Sequence, residues 1–572
     1  MSLSIPTLVT SLFQALLDRI QLDCSDGDPP AHKSKSLSLD LAAEARAALD
    51  QEIKMIQLTI NTFKDHADRL LSAIRHRRNQ HAPIHRLPPE MISLIFELAG
   101  PGTQRRNLEY RDPLNIMRVS RDWRQIAMDS PRVWAHISMI PEPLLSTFLE
   151  RSKNVPLELT FYRTTRGAAL QHMARISPSH LERTRVLRID LSGMEMQIDK
   201  VESWLSTPLS ALERLEINRP EEEMYHGGLN FAIDAPRLRH LSFEHCFMPF
   251  DHPIYSTLST LTLRNIAFIE TDVAVGLLQA LEASLFLEEL SLQYQMYSAA
   301  ATEPTLSNPM MVNLPHLRRL SLGIPSPITR FFLGHITTPA SSQTELVVTD
   351  RRPYDDIASI IPSQPGNLLN ITATTELLVS ARDGGANFEA KGRSCKSGGS
   401  FWLIIFGERG LAHGLFESLA HVVPMPHLQT LSVHSFKKKK KDTGSFARAL
   451  GHFPSITTLE FKGCHPTVIE SVTISRARNR HICPLLQNLS LSDCSIKEGA
   501  LLRLVRSRTF FPDDEPSTTG RPLERLDLVS CWEPTRDVVP KLLEHLKVVY
   551  WGAQRFKQVE AETTGVDDSQ SA

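Results

Sequence analysis

The chain has 572 residues and sets 63 Lys and Arg against 64 Asp and Glu, a formal net charge of −1, which excludes a global field that steers nucleic acid or an anionic membrane. Hydrophobic residues make up 41% and charged residues 22%, so wholesale disorder is excluded as well. No run approaches the roughly twenty apolar residues of a spanning helix, the N-terminus lacks a basic n-region, and the seven cysteines include no C-x-x-C pair. The expectation is a soluble protein of a reducing compartment, cytoplasmic or nuclear, with no disulfide framework and no zinc ribbon.

Leu8, Val9, Leu12, Phe13, Leu16 and Ile20 lie at helical spacing, predicting an amphipathic helix within residues 1–24, followed by a polar linker over 25–39. A second helix is predicted over 40–80. In it Leu49, Ile53, Ile56, Ile60, Phe63, Ala67, Leu70 and Ile74 follow at intervals of 4, 3, 4, 3, 4, 3 and 4, an unbroken a/d heptad seam. A period of 3.5 is what supercoiling against another helix requires. Two partners fit the seam equally: a second copy, giving a homodimer, or the first helix folded back through the linker.

Residues 87–134 then open with Leu87-Pro88-Pro89-Glu90, where proline and an acid suit a helix start, and continue into Met91, Ile92, Ile95, Phe96 and Leu98. That is more apolar surface than one face hides. A loop over 100–111 leads to a helix starting at Asp112-Pro113 and carrying Leu114, Met117, Val119, Trp123, Ile126 and Ala127; Ser130-Pro131 stops it before Val133 and Trp134. Leu-Pro, Ile-Phe, Val-x-x-x-Trp and a last Trp in this order resemble the F-box, an all-α hook expected here over 83–138. The resemblance implies docking on the small adaptor of a cullin-RING ubiquitin ligase, with Leu87, Pro88, Ile92, Ile95, Phe96, Val119, Trp123 and Trp134 at adaptor-binding and core positions. Ser120 stands where that family often has Cys, and the loop after Gly100 is longer than in its compact form.

Residues 139–165 read as a connecting helix, around Leu144 to Ser152, and a strand, Pro156 to Phe161. This link is similar to that of fungal F-box proteins carrying leucine-rich repeats. From 166 to 552 the pattern L-x-x-L-x-L returns, with its central residue at 187, 215, 241, 261, 290, 320, 346, 377, 405, 431, 459, 489, 526 and 546, at intervals of 20 to 37. Most lie near the roughly 20–29 residues of a leucine-rich repeat, in which each strand and its return segment hide their apolar side only by stacking on the next copy. The fold expected is therefore α/β: a coiled-coil helix, a small helical hook and a solenoid of horseshoe form. Cys246, Cys464, Cys494 and Cys531 each follow a central residue by five, where a thiol packs under the turn. Cys464-His465 and His481-x-Cys483 are too sparse for a metal site.

Between the leucines, alternate strand residues share the other face. Arg214, Glu216, His240, Glu289, Arg319, His434, Glu460, Arg525 and Asp527 make it polar and mixed in sign, which favours a protein target over a nucleic acid. Residues 298–313, 339–342, 383–400 and 511–520 are rich in Ser, Gly, Pro or Thr and read as surface loops. The five lysines at 437–441 fit a solvated loop better than an import signal. A disordered tail is expected over 553–572. No catalytic motif is present and no cofactor is expected, so the resemblance implies a target-recognition subunit, not an enzyme. The alternative is a self-associating repeat scaffold that binds no adaptor.

Overall fold

The computed structural model describes residues 14, 18, 21, 39–99, 111–138, 140, 142–161, 175–191, 204–219, 233–266, 271–294, 302–306, 308, 310–348, 356–363, 365–407, 410–437, 444–474, 482–509 and 521–558. Almost all of the predicted first helix and the linker, the loop at 100–110, residues 438–441 of the lysine run, the insertion at 511–520 and the tail from 559 lie outside the described residues. The chain divides into two compact units, Met1–Val133 and Trp134–Ala572.

The first unit is helical. α1 is a continuous helix over Leu39–Gln80, 42 residues ending in Arg77 and Arg78, and its alanine-rich start extends the helix beyond the heptad seam. α2 spans Pro89–Leu98, with proline in its first turn and Glu90 complementing the helix dipole. The single helix expected from Asp112 is in fact two, α3 over Arg111–Ile116 and α4 over Arg121–Asp129. Ser120 breaks it. Its backbone is extended, at φ −155°, and its hydroxyl accepts the amide of Trp123 at 3.1 Å, so it caps α4 where the ladder would otherwise have continued.

The second unit is mixed α/β. β1 (His136–Ile137), helix α5 (Glu142–Arg151) and β2 (Leu157–Phe161) lead into an 18-stranded sheet that is mostly parallel. β3 (Thr184–Asp190), β4 (Arg214–Asn218), β5 (His240–Glu244), β6 (Thr260–Arg264) and β7 (Glu289–Gln293) follow in order and in register, so Leu187, Leu215, Leu241, Leu261 and Leu290 form one buried rung. β8 (Val312–Asn313), at the end of the predicted 298–313 loop, pairs only with β10 (Ile336–Thr337), while β9 (Arg319–Gly323) continues the main sheet. β15 (Thr430–His434), β16 (Thr458–Lys462), β17 (Asn488–Ser492) and β18 (Arg525–Val529) repeat the arrangement with Leu431, Leu459, Leu489 and Leu526.

Three recurring devices enforce this register. The carbonyl just before a strand accepts two successive amides of the next, as Gln429 does from Thr457 and Thr458, and Thr457 from Gln487 and Asn488. The residue after a strand takes the left-handed conformation at His245, Asn265, Ser435, Gly463, Asp493 and Ser530. The cysteine that follows sends its thiol to a carbonyl of the previous strand: Cys246 to Ile217 at 3.7 Å, Cys464 to Val433 at 3.2 Å, Cys494 to Phe461 at 3.6 Å and Cys531 to Leu491 at 3.2 Å.

Between the two runs the order changes. β11 (Gln343–Val348) lies beside β9 but is followed in space by β14 (Ser400–Phe406), then β13 (Asn387–Arg393), then β12 (Glu376–Arg382), which joins β15. The chain skips two places and returns antiparallel. Residues 383–400, expected as a surface loop, thus contain β13 and the turns that flank it. Their glycines serve turns and one close approach: Gly384 and Gly385 have positive φ, and Gly392 lies opposite Phe401, whose ring occupies the space of a side chain.

Three repeat centres are also corrected, the first being Ile405 of β14, which pairs with Val348 while Phe401 takes the rung position beside Thr344. Leu346 pairs with Leu322, one rung along, and buried Thr344 faces Leu320. At the end, Leu546 precedes the strand; β19 (Val548–Trp551) puts Val549 beside Leu526, because Val-Val-Tyr-Trp suits a strand and pairing, not the nearest leucine, sets register. Residues 554–557, expected within a disordered tail, instead form β20 (Gln554–Lys557), which folds back antiparallel on β19.

Candidate functional site

Two surfaces carry the residues singled out in the sequence. In the first unit α2 packs on α4 through Phe96 and Trp123, ring centres 5.0 Å apart. Ser93 donates to Ser130 at 2.7 Å, and Ser130 donates to the Ile126 carbonyl at 2.6 Å, closing the same interface. The eight predicted docking residues therefore separate. Ile92 and Phe96 are buried, Ile95 and Trp123 half-buried, and only Leu87, Pro88 and Val119 are presented to solvent. Trp134 belongs to the second unit, buried against Phe148 at 4.9 Å and under Arg151. Met91, Leu94 and Leu98, absent from the predicted set, are exposed on α2. Their spacing of 3 and 4 put them on one stripe, opposite Ile92 and Phe96, and was the available signal.

In the second unit all nine predicted target-binding residues lie on one sheet face, alternating with the buried leucines, but in two groups. Arg214, Glu216, His240 and Glu289 line a polar recess of about 550 Å³ together with Ser242, Thr260 and Thr262. Glu216 is held by Arg188 at 3.1 Å and Arg214 at 3.8 Å, and Arg319 reaches Glu289 at 3.7 Å. His240 exchanges a hydrogen bond with Thr260 at 3.0 Å; burial, with the Arg214 charge, holds its pKa below the ordinary histidine value. It is therefore a neutral donor or acceptor at pH 7.

In the second group Ser432 donates to Glu460 at 2.7 Å, and Arg525 pairs with Asp527 at 2.7 Å while lying over the Tyr550 ring at 4.4 Å. His434 is also held below its ordinary pKa, by burial first and the Lys462 charge second. The antiparallel strands between the groups bring a different chemistry that the sequence reading missed. Trp402 and Phe406 are exposed on this face. Lys391 sits 4.5 Å from the Trp402 ring centre and pairs with Glu389 at 2.7 Å, and the Trp402 indole donates to Glu389 at 2.9 Å. Burial pushes the Glu389 carboxyl up, but Lys391, Arg382 and the indole outweigh it and keep it ionised. The signal was Phe401 to Phe406, an apolar run whose alternate residues had to face outward in any strand.

The buried cysteines of the strand turns are inert by placement, whereas Cys395 is exposed. Burial pushes the thiols of Cys246 and Cys464 up to about 12, far from the reactive range. Among the described residues no helix is long and apolar enough to cross a membrane.

Comparison with known families adds one finding: a family model described as F-box-like matches residues 84–140. No curated protein matches the chain. The matched segment covers α2, α3 and α4 and runs past the unit boundary through Trp134 into β1. An F-box-like domain supports an adaptor-binding role in ubiquitin ligation in general.

Proposed function

We propose that the chain is the target-recognition subunit of a cullin-RING (SCF-type) ubiquitin ligase. Its F-box-like region docks the small adaptor, and β2 to β19, read as leucine-rich repeats, hold a protein target on their polar face. The observation that carries this reading is the exposure of five large apolar residues, Leu87, Met91, Leu94, Leu98 and Val119, in the segment matched as F-box-like. Several large apolar side chains bared together on a small helical unit mark an interaction surface. The in-register leucines and the thiol rung support the repeat reading, and the mixed-sign face supports a protein target. The subunit would position a target and leave the bond-forming chemistry to its partners.

Pull-down of the purified chain with the adaptor tests this. The parent binds, and Leu94→Asp, at an exposed position that leaves the fold intact, weakens binding at least about tenfold. A folded parent that fails to bind ends the ligase reading and leaves the self-associating scaffold.

A further inference from the structure

Six residues of the α1 seam, Leu49, Ile53, Ile56, Ile60, Leu70 and Ile74, are between 42% and 59% exposed. We infer that the occupant of this seam is α1 of a second copy, lying antiparallel, so that the chain is a homodimer. This goes beyond target recognition and does not depend on it.

The seam intervals read the same from either end, so an antiparallel copy meets it layer for layer. Leu49 faces Ile74 of the second copy, Ile53 faces Leu70, Ile56 faces Ala67 and Ile60 faces Phe63, and each layer occurs twice. Every layer then contains a large side chain. A parallel copy would set Ala67 on Ala67, leaving a gap, and Phe63 on Phe63, crowding the next layer; both are unfavourable in a close-packed core. Charge points the same way. The half of α1 before residue 62 holds Asp40, Glu44, Asp50 and Glu52 against Arg46 and Lys54, while the half after it holds Lys64, Arg69, Arg75, Arg77 and Arg78 against Asp65 and Asp68. Antiparallel pairing lays the acid-richer half along the basic one and opposes the two helix dipoles, whereas parallel pairing brings two sets of three terminal arginines together. Arg46 and Arg77 bound the seam in either orientation.

Length argues against the chain's own first apolar stripe as sole occupant. The seam spans 25 residues, about 38 Å of helix, while the stripe from Leu8 to Ile20 would cover about 18 Å, less than half of it.

Sedimentation of the full chain gives the first reading: the mass of two 64.3 kDa chains is expected, and a monomer at micromolar concentration overturns the proposal. Ile60→Lys is expected to yield monomers; a dimer that survives it also overturns the proposal. Orientation is read by mixing Leu49→Cys and Ile74→Cys chains in a Cys24→Ser/Cys395→Ser background. Oxidation should cross-link the mixture and neither variant alone, and a Leu49→Cys self-cross-link would establish the parallel pair instead. Because Ile56 and Ala67 share a layer only when antiparallel, Ile56→Ala should raise the dimer Kd at least about tenfold and the added Ala67→Ile should restore it. No restoration in a folded chain rejects the register.

Discussion

The run from β15 to β18 and the block from β11 to β14 use the same apolar residues to opposite effect. In the run, each strand repeats the last: a leucine at the same rung, a left-handed residue after the strand, and in β16 to β18 a thiol bonded back to its neighbour. In the block the rung shifts by two residues, direction reverses and aromatic side chains reach the polar face. Repetition specifies register many times over, so no one residue is decisive. Where the period fails, single residues must specify it.

Asn370 is such a residue. Fully buried, its amide donates to the Thr344 hydroxyl at 2.8 Å and to the Ser400 and Ser342 carbonyls at 3.1 and 3.3 Å, and it accepts from Thr338 at 2.9 Å. It ties β11 and β14 together at their starts. Asn370→Ala should cost about 4 kcal/mol in a urea titration, since several buried polar groups lose their partner at once; a loss as small as that of a surface change would remove the contrast. Next in size is Gly392→Ala. The added methyl would overlap the buried Phe401 ring, and about 3 kcal/mol of destabilisation is expected by the same measurement.

The run offers the weaker counterpart. Gly463 has φ 61°, yet five other strands put His, Asn, Ser, Asp or Ser at this turn. Gly463→Val should therefore cost about 2 kcal/mol, whereas Ser435→Gly should be neutral or slightly stabilising. Equal effects at the two sites would show that the turn is set by local sequence and not by the ladder.

The smallest effect is at the sheet's first strands. The hydrogen bond from His136 and the pairing with Arg185 hold Glu158 at about 2, against an ordinary 4.5. A depressed carboxyl stabilises the fold above its unfolded pKa, so this contribution is lost as pH falls from about 4.5 to about 2. Glu158→Gln should flatten acid unfolding within that window and leave stability above pH 6 less pH-dependent on this site.

The same contrast explains what could be read in advance. The heptad seam, the in-register leucines and the order Leu-Pro, Ile-Phe, Val-x-x-x-Trp are periodic or ordered signals, and the α1 helix, the parallel strands and the F-box-like match followed. The antiparallel strands escaped because glycine and serine at 383–400 resemble loop composition, although here they make two tight turns and a space for Phe401. The break at Ser120 escaped because an N-cap inside an apolar stripe changes no periodicity. On the sheet face, charged residues were legible by alternation, but Trp402 and Phe406 were missed because outward aromatics read as core.

The skipped strand order has a kinetic consequence. A repeat array can grow strand upon strand, each new one adding to an edge already formed. β12 cannot, since its neighbours are β13 and β15 and the edge left by β11 waits for β14. Growth in chain order past residue 348 therefore needs about sixty residues to assemble as one cooperative group, a step expected to be slower than the addition of a single repeat.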